Sequence, residues 1–181
     1  MNDTDFDIEK RIIRLYGDVD ENMANIFLIA CNNMKNDNSP ITIYINSNGG
    51  NAEDGFVIID IIEQLKTLGI QTNICVLGKA YSVAALILCA GEVKYASKNS
   101  SIMFHSASYD FSDASSVLYN TKTLNTLLNS LINENNRVVD ILKKYTKMPK
   151  KLINKCLHED LYLTPEQAKK YNVIDDIKTI I

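Results

Sequence analysis

Residues 76–91 constrain this chain more than any other stretch. Val76 and Leu77 read as the end of a short apolar strand that breaks at Gly78. After Lys79, Ala80, Tyr81 and Ser82, residues 83–90 carry only small and aliphatic side chains. A helix that is apolar on every face has no side to turn to water, so it has to be an interior element with the rest of the domain packed around it. Ser82 stands where the turn gives way to that helix. Its hydroxyl suits two roles. It can cap the helix, accepting a bond from an orphan amide of the first turn. It can also be a nucleophile at a helix N-terminus, where free amides and the positive dipole end favour a developing oxyanion. Capping is the commoner role for a lone serine, so only partners elsewhere in the chain can favour the second.

What surrounds this helix follows from period and punctuation. Residues 11–16 are short, branched and bounded by Gly17-Asp18, the pattern of a strand. Asp20 is placed to cap a helix with Met23, Ile26, Phe27 and Ala30 on its inner face. Residues 32–40 read as a loop and residues 41–46 as a second strand. A helix is predicted over 54–68, stopped by Gly69, with Phe56, Ile59, Ile62 and Leu65 inward. Strands follow over 71–77, 93–96 and 101–104. Strands alternating with helices predict an α/β fold built of βαβ units, with a mostly parallel core sheet and right-handed crossovers. At 181 residues the chain is expected to form a single domain, 1–181.

Residues 115–145 contain neither proline nor glycine and repeat Leu118, Leu124, Leu128, Leu131, Val138 and Leu142 at helical spacing. At 1.5 Å per residue such a helix outruns one side of a small domain. It projects, breaks, or packs against another subunit, or else it forms two consecutive core helices with a kink near Asn133. A shorter helix is predicted from Pro149 to Leu157. Thr164-Pro165-Glu166-Gln167 combines a capping box with proline at the first helical position, opening a helix to Tyr171. Residues 173–175 are expected to be a terminal strand or an extended tail.

Several function classes drop out on composition. A net charge of −3 offers no basic footprint for nucleic acid. The four cysteines, Cys31, Cys75, Cys89 and Cys156, are scattered without C-x-x-C or histidine spacing, so neither a metal nor another cofactor is expected. The chain opens without a basic and apolar leader, and no segment is long enough to span a bilayer. A cytoplasmic location is the expectation.

Chemistry concentrates in a few places. Ser47-Asn48-Gly49-Gly50-Asn51 follows the strand at 41–46. Its glycines either supply a turn or let bare backbone amides approach a ligand; neither Walker spacing nor G-x-G-x-x-G is present. Two histidines exist: His105 ends an apolar strand, and His158 sits in a polar stretch. His105 becomes a base if a serine waits at a helix start and a third group orients it. For that third group, spacing does not choose among Asp110, Asp113, Glu159 and Asp160.

Taken in order, these segments resemble the Clp protease proteolytic subunit family, serine peptidases of the Clp/crotonase fold. Residues 11–17 and 20–25 resemble the family's first strand and helix. Residues 44–50 resemble its oxyanion loop, with Asn48 where proline is usual. Gly78-Lys79-Ala80-Tyr81-Ser82 resembles its nucleophile motif, with Tyr81 in place of a small residue. Ile102-Met103-Phe104-His105 is similar to its histidine motif, and residues 160–175 to the segment carrying its aspartate.

The resemblance implies a Ser82, His105, Asp160 triad, with the amides of Val83 and Gly50, or less favourably Gly49, holding the oxyanion. It implies a helical handle over about 106–148. Its expected partners are polypeptide substrates, further copies of the chain in a heptameric ring or double ring, and a hexameric Clp ATPase. Three departures bear on assembly. The sequence begins close to its first strand, short of the segment that forms the family's axial pore loops, which weighs against the ATPase. Residues 106–112 have no glycine where the family has a glycine-rich strand. Glu159 stands where an arginine usually helps join rings, and a carboxylate cannot make the same pair. Alternatives are a peptidase of the same fold acting without the ATPase, for example virus-encoded, and a non-catalytic ring subunit. A crotonase-type acyl-CoA enzyme shares the fold, but a serine-histidine-aspartate set suits hydrolysis better.

Overall fold

A computed structural model describes residues 5–108 and 120–179. The elements run β1 (Phe6–Asp7), β2 (Ile12–Val19), α1 (Glu21–Met34), β3 (Ile41–Gly50), α2 (Ala52–Thr67), β4 (Thr72–Tyr81), α3 (Val83–Ala90), β5 (Val93–Ala96), β6 (Ser101–Phe104), α4 (Thr121–Tyr145), α5 (Lys150–Cys156), β7 (Leu161–Leu163), α6 (Pro165–Lys170) and β8 (Asp176–Ile177). One sheet orders them β1-β2-β3-β4-β5-β8, with β6 attached to β4 and β7 to β6. Among the described residues every pairing is parallel except β1 with β2 and β6 with β7. This is the mixed α/β fold with a mostly parallel sheet that the alternation predicts.

The core is centred where the apolar run placed it. All eight residues of α3 are buried, as an all-round apolar helix requires. Below it lie the inward side chains of β3 and β4, with Ile41, Ile43, Ile45, Ile74 and Val76 fully enclosed. Helix α2 crosses α3 at Gly55. A Cβ there would sit 2.1 Å from Val83 Cγ2, so the absence of a side chain lets the two helices touch.

Several boundaries differ from the sequence expectation, each for a local reason. Strand β4 does not break at Gly78 but runs through it to Tyr81. Its first half pairs with β5 (Asn73 to Val76) and its second with β6 (Lys79 to Tyr81), and Gly78, at φ 91°, lies where the partner changes. Gly49 and Gly50 belong to β3 and pair with Asp18 and Val19 of an equally extended β2, rather than forming a turn. Helix α2 starts at Ala52 instead of Asp54 because Asn51 caps it, its side chain accepting from the amides of Glu53 and Asp54. Val173 and Ile174 are buried core residues and the terminal strand is the next pair along, Asp176–Ile177. Strands β1 and β7 were not expected; two or three residues carry no readable period.

Of the long helix predicted from Ser115, residues 115–119 and with them Leu118 lie outside the described residues. From its Asn120 cap, α4 runs unbroken past Asn133 to Tyr145, about 37 Å at 1.5 Å per residue, so the single-helix alternative holds. Only Val138 and Leu142 are buried, while Leu124, Leu128 and Ile132 stand exposed nearer its start. The helix therefore packs by its C-terminal turns and projects by its N-terminal ones. Among the described residues no helix is long and apolar enough to cross a membrane.

Candidate active site

Three short strands set the geometry. β4 and β6 run parallel, so their C-terminal ends lie side by side, and Ser82 and His105 each follow directly. β7 runs antiparallel to β6 with Leu161 opposite Phe104, so the residue that precedes β7, Asp160, comes to the same end. His105 Nε2 lies 2.7 Å from Ser82 Oγ, and His105 Nδ1 lies 3.9 Å from Asp160 Oδ1. The first is a short hydrogen bond; the second is within ion-pair range but longer than a hydrogen bond. For Nε2 to accept the Ser82 proton, the ring's own proton has to sit on Nδ1, facing Asp160.

The capping role weighed for Ser82 is not the one its side chain plays. Ser82 makes no side-chain bond to the first turn of α3. Its backbone has φ 55° and ψ −130°, an uncommon conformation for a residue with a Cβ. The amide of Ser82 donates to the carbonyl of Met103 at 2.9 Å, which ties the turn to β6. A strained turn between strand and helix thus aims the hydroxyl away from the helix and at His105.

The glycine pair lies against this turn. A Cβ at Gly49 would be 2.6 Å from Ser82 Cβ and 2.8 Å from the Tyr81 carbonyl; one at Gly50 would be 2.2 Å from the Val19 carbonyl. Only glycine lets β3 come this close to both neighbours. Ser47, buried at 1% exposure, accepts the Gly49 amide at 3.0 Å, which engages that donor. The Val83 amide opens α3 and has no acceptor within the helix. Sequence reasoning passed over Ser47, because one serine in a loop motif gives no sign of burial.

A cleft of about 520 Å³ opens over these groups, bordered by Asn48, Gly50, Ser82, His105, Ser108 and Glu134. Behind Ser82 a small cavity of about 30 Å³ is walled by Phe56, Val83, Leu86, Phe104 and Val138, room for a group of methyl size. Glu53 at the cleft edge pairs with Arg137 at 2.8 Å, and that guanidinium stacks 3.5 Å from the centre of the Phe56 ring. The α4 contribution, Glu134 and Ser130, was not foreseen; a polar helix face carries no signal for it.

The other residues considered are elsewhere. His158 and Glu159 are exposed, and Glu159 pairs with Lys155 at 3.6 Å. Asp110 and Asp113 lie outside the described residues. Among the described residues no three His, Cys, Asp or Glu side chains are grouped to hold a metal ion. The four cysteines are buried. Burial pushes the Cys31 and Cys89 thiols up to about 12 and Cys156 up to about 11, and raises Cys75 as well. A buried thiol in an apolar setting is inert. A colorimetric disulfide reagent at neutral pH is therefore expected to modify none of the four in the native protein and all four after unfolding; rapid reaction of any one in the native state would contradict this burial.

Comparison with known proteins gives two findings. The family model for Clp protease matches residues 4–180. A solved structure of a ClpP1 mutant from Listeria monocytogenes superposes with a TM-score of 0.81 at 23% identity, covering 94% of this chain and 92% of that one. At that identity the superposition speaks for the fold: a mixed α/β fold with a multi-strand sheet and, among the described residues, six helices. The family match goes further, since its bounds enclose the strands that bring Ser82, His105 and Asp160 together, and by it this chain belongs to the Clp protease family.

Proposed function

We propose that the chain is a serine endopeptidase that hydrolyses peptide bonds of unfolded proteins or peptides, working as one subunit of a homo-oligomer with an enclosed chamber. The observation that carries this reading is the 2.7 Å contact between His105 Nε2 and a Ser82 hydroxyl freed from its helix. In the proposed reaction Ser82 Oγ attacks the scissile carbonyl carbon while His105 Nε2 takes its proton. Charge moves to the carbonyl oxygen, where the amides of Gly50 and Val83 stabilise it; one such donor contributes about 3–4 kcal/mol to the transition state. Asp160 steadies the imidazolium. Collapse breaks the C–N bond as His105 returns the proton to the leaving amine, and water, activated by the same ring, releases the acyl group.

The assembly part of this reading is supported by α4. Leu124, Leu128 and Ile132 recur every four residues, each about half exposed, and make an apolar stripe that a partner subunit would cover. Four reduced, buried cysteines suit a reducing compartment such as the cytosol.

A fluorophosphonate probe tests the chemistry, because its phosphorus accepts an activated serine oxygen and little else. Mapping by peptide mass spectrometry is expected to find the adduct on Ser82 alone. No adduct on Ser82 in the native oligomer would remove the peptidase reading and favour a ring subunit without catalytic duty.

A further inference from the structure

We infer that Tyr162, in edge contact with Tyr81, is a positioning residue that keeps Asp160 in reach of His105. The inference rests on the Ser82, His105, Asp160 reading and adds two side chains to it. Tyr81, Met103 and Tyr162 sit directly opposite one another across β4, β6 and β7. Residues in lateral register share a sheet face, so these three form one rung. The neighbouring rung, Ala80, Ile102 and Leu163, is buried and faces the core. The tyrosine rung therefore lies on the opposite face, where it spans the whole width of the three strands.

The ends of that rung adjoin the reacting groups. Tyr81 immediately precedes Ser82, Met103 lies two residues before His105, and Tyr162 two residues after Asp160. The two rings meet with centroids 5.7 Å apart and planes at 86°, an edge-to-face pair. Met103, at 8% exposure, is covered, whereas Tyr162 remains 55% exposed. Burial alone does not account for an aromatic ring left half in water, but an edge contact to the strand carrying the nucleophile does.

Asp160 needs such a device. Its side chain is 55% exposed, and among the described residues its one polar approach is the 3.9 Å contact to His105. Among the described residues the carboxylate thus has no hydrogen bond of its own to hold it, and its position is inherited from the start of β7. β7 is a three-residue strand that pairs only with β6 among the described residues. A strand so short has little backbone pairing to fix its place. The Tyr81–Tyr162 contact ties it across β6 to the end of β4, so the serine and the aspartate are referenced to each other.

The test compares Tyr162→Ala, Tyr162→Phe, Tyr81→Ala and the double alanine variant by steady-state kinetics, by rate of fluorophosphonate labelling at Ser82, and by crystal structures. Tyr162→Ala is expected to lower kcat and the labelling rate about tenfold with KM unchanged, while Tyr162→Phe, which keeps the ring edge, stays within about twofold of the starting protein. The double variant should be no slower than either single one, since both remove the same contact. The crystal structure of Tyr162→Ala should show Asp160 displaced from His105, and that of Tyr162→Phe should show it in place. Unchanged kcat in Tyr162→Ala, failure of phenylalanine to restore it, or additive losses in the double variant would each overturn the inference. If the unmodified protein takes no label at Ser82, it is the peptidase reading that fails; the crystal structures still decide the rung, and Asp160 unmoved in Tyr162→Ala rejects it.

Discussion

Ser82→Ala is expected to remove peptide hydrolysis, with kcat falling on the order of 10⁶-fold, and to leave melting temperature and oligomeric state as they were. The expected size of the first effect comes from the proposed mechanism: with no oxygen to attack, what survives is the catalysis that an oxyanion hole and substrate binding supply alone. The absence of the second comes from the fold. A serine that capped α3 would lose roughly 1 kcal/mol on this substitution. Here the hydroxyl makes no cap bond, and its contact is with the ring of His105. Alanine keeps the same backbone demand at φ 55°, so no strain is added or relieved. Activity on a fluorogenic peptide, differential scanning calorimetry and sedimentation velocity separate the outcomes. Hydrolysis that persists would mean another group attacks the carbonyl. A drop in melting temperature with hydrolysis intact would return Ser82 to the role of a helix cap.

The contrast shows what could be read from residues and what could not. The interior helix was legible because an all-apolar face admits one location, and α3 is buried throughout. The alternation of strands and helices was legible for the same kind of reason, and it led to the mostly parallel sheet. Proximity in space was not. Residues 82, 105 and 160 are brought together by β4, β6 and β7, and the pairing of the three-residue β7 with β6 has no local signature. Spacing therefore left four acids open, and it was the resemblance of residues 160–175 to a known segment that singled out Asp160. Ser47 and Glu134 escaped notice because burial and cleft position depend on which strand or helix lies opposite. The glycine pair was half legible: its freedom from a Cβ was evident, but the atoms that require that freedom belong to Ser82, Tyr81 and Val19.

Those atoms make Gly49→Ala the second large effect to expect, and Gly69→Ala its control. Both glycines have positive φ, 96° and 76°, so alanine at either pays about 1–2 kcal/mol for a left-handed backbone. Their surroundings differ. Nothing lies within 4 Å of a Cβ built on Gly69, whereas one on Gly49 meets Ser82 Cβ at 2.6 Å, Tyr81 O at 2.8 Å and Ser82 Oγ at 3.2 Å. Backbone and Cβ atoms cannot rotate aside as the tip of a long side chain can. Either the end of β3 retreats, taking the Gly50 amide from the proposed oxyanion position, or Ser82 is pushed off its 2.7 Å contact with His105. A displacement near 1 Å at a reacting group costs about 10²-fold, and loss of an oxyanion donor about 10²–10³-fold. Gly49→Ala is thus expected to lower kcat by at least about 10²-fold beyond Gly69→Ala at equal thermal stability. Comparable activity in the two variants would mean that the close approach of β3 to Ser82 is packing alone. The opposite pattern, an inactive Gly49→Ala that still reacts with fluorophosphonate at the normal rate, would place the loss in substrate binding along β3 and leave the nucleophile untouched.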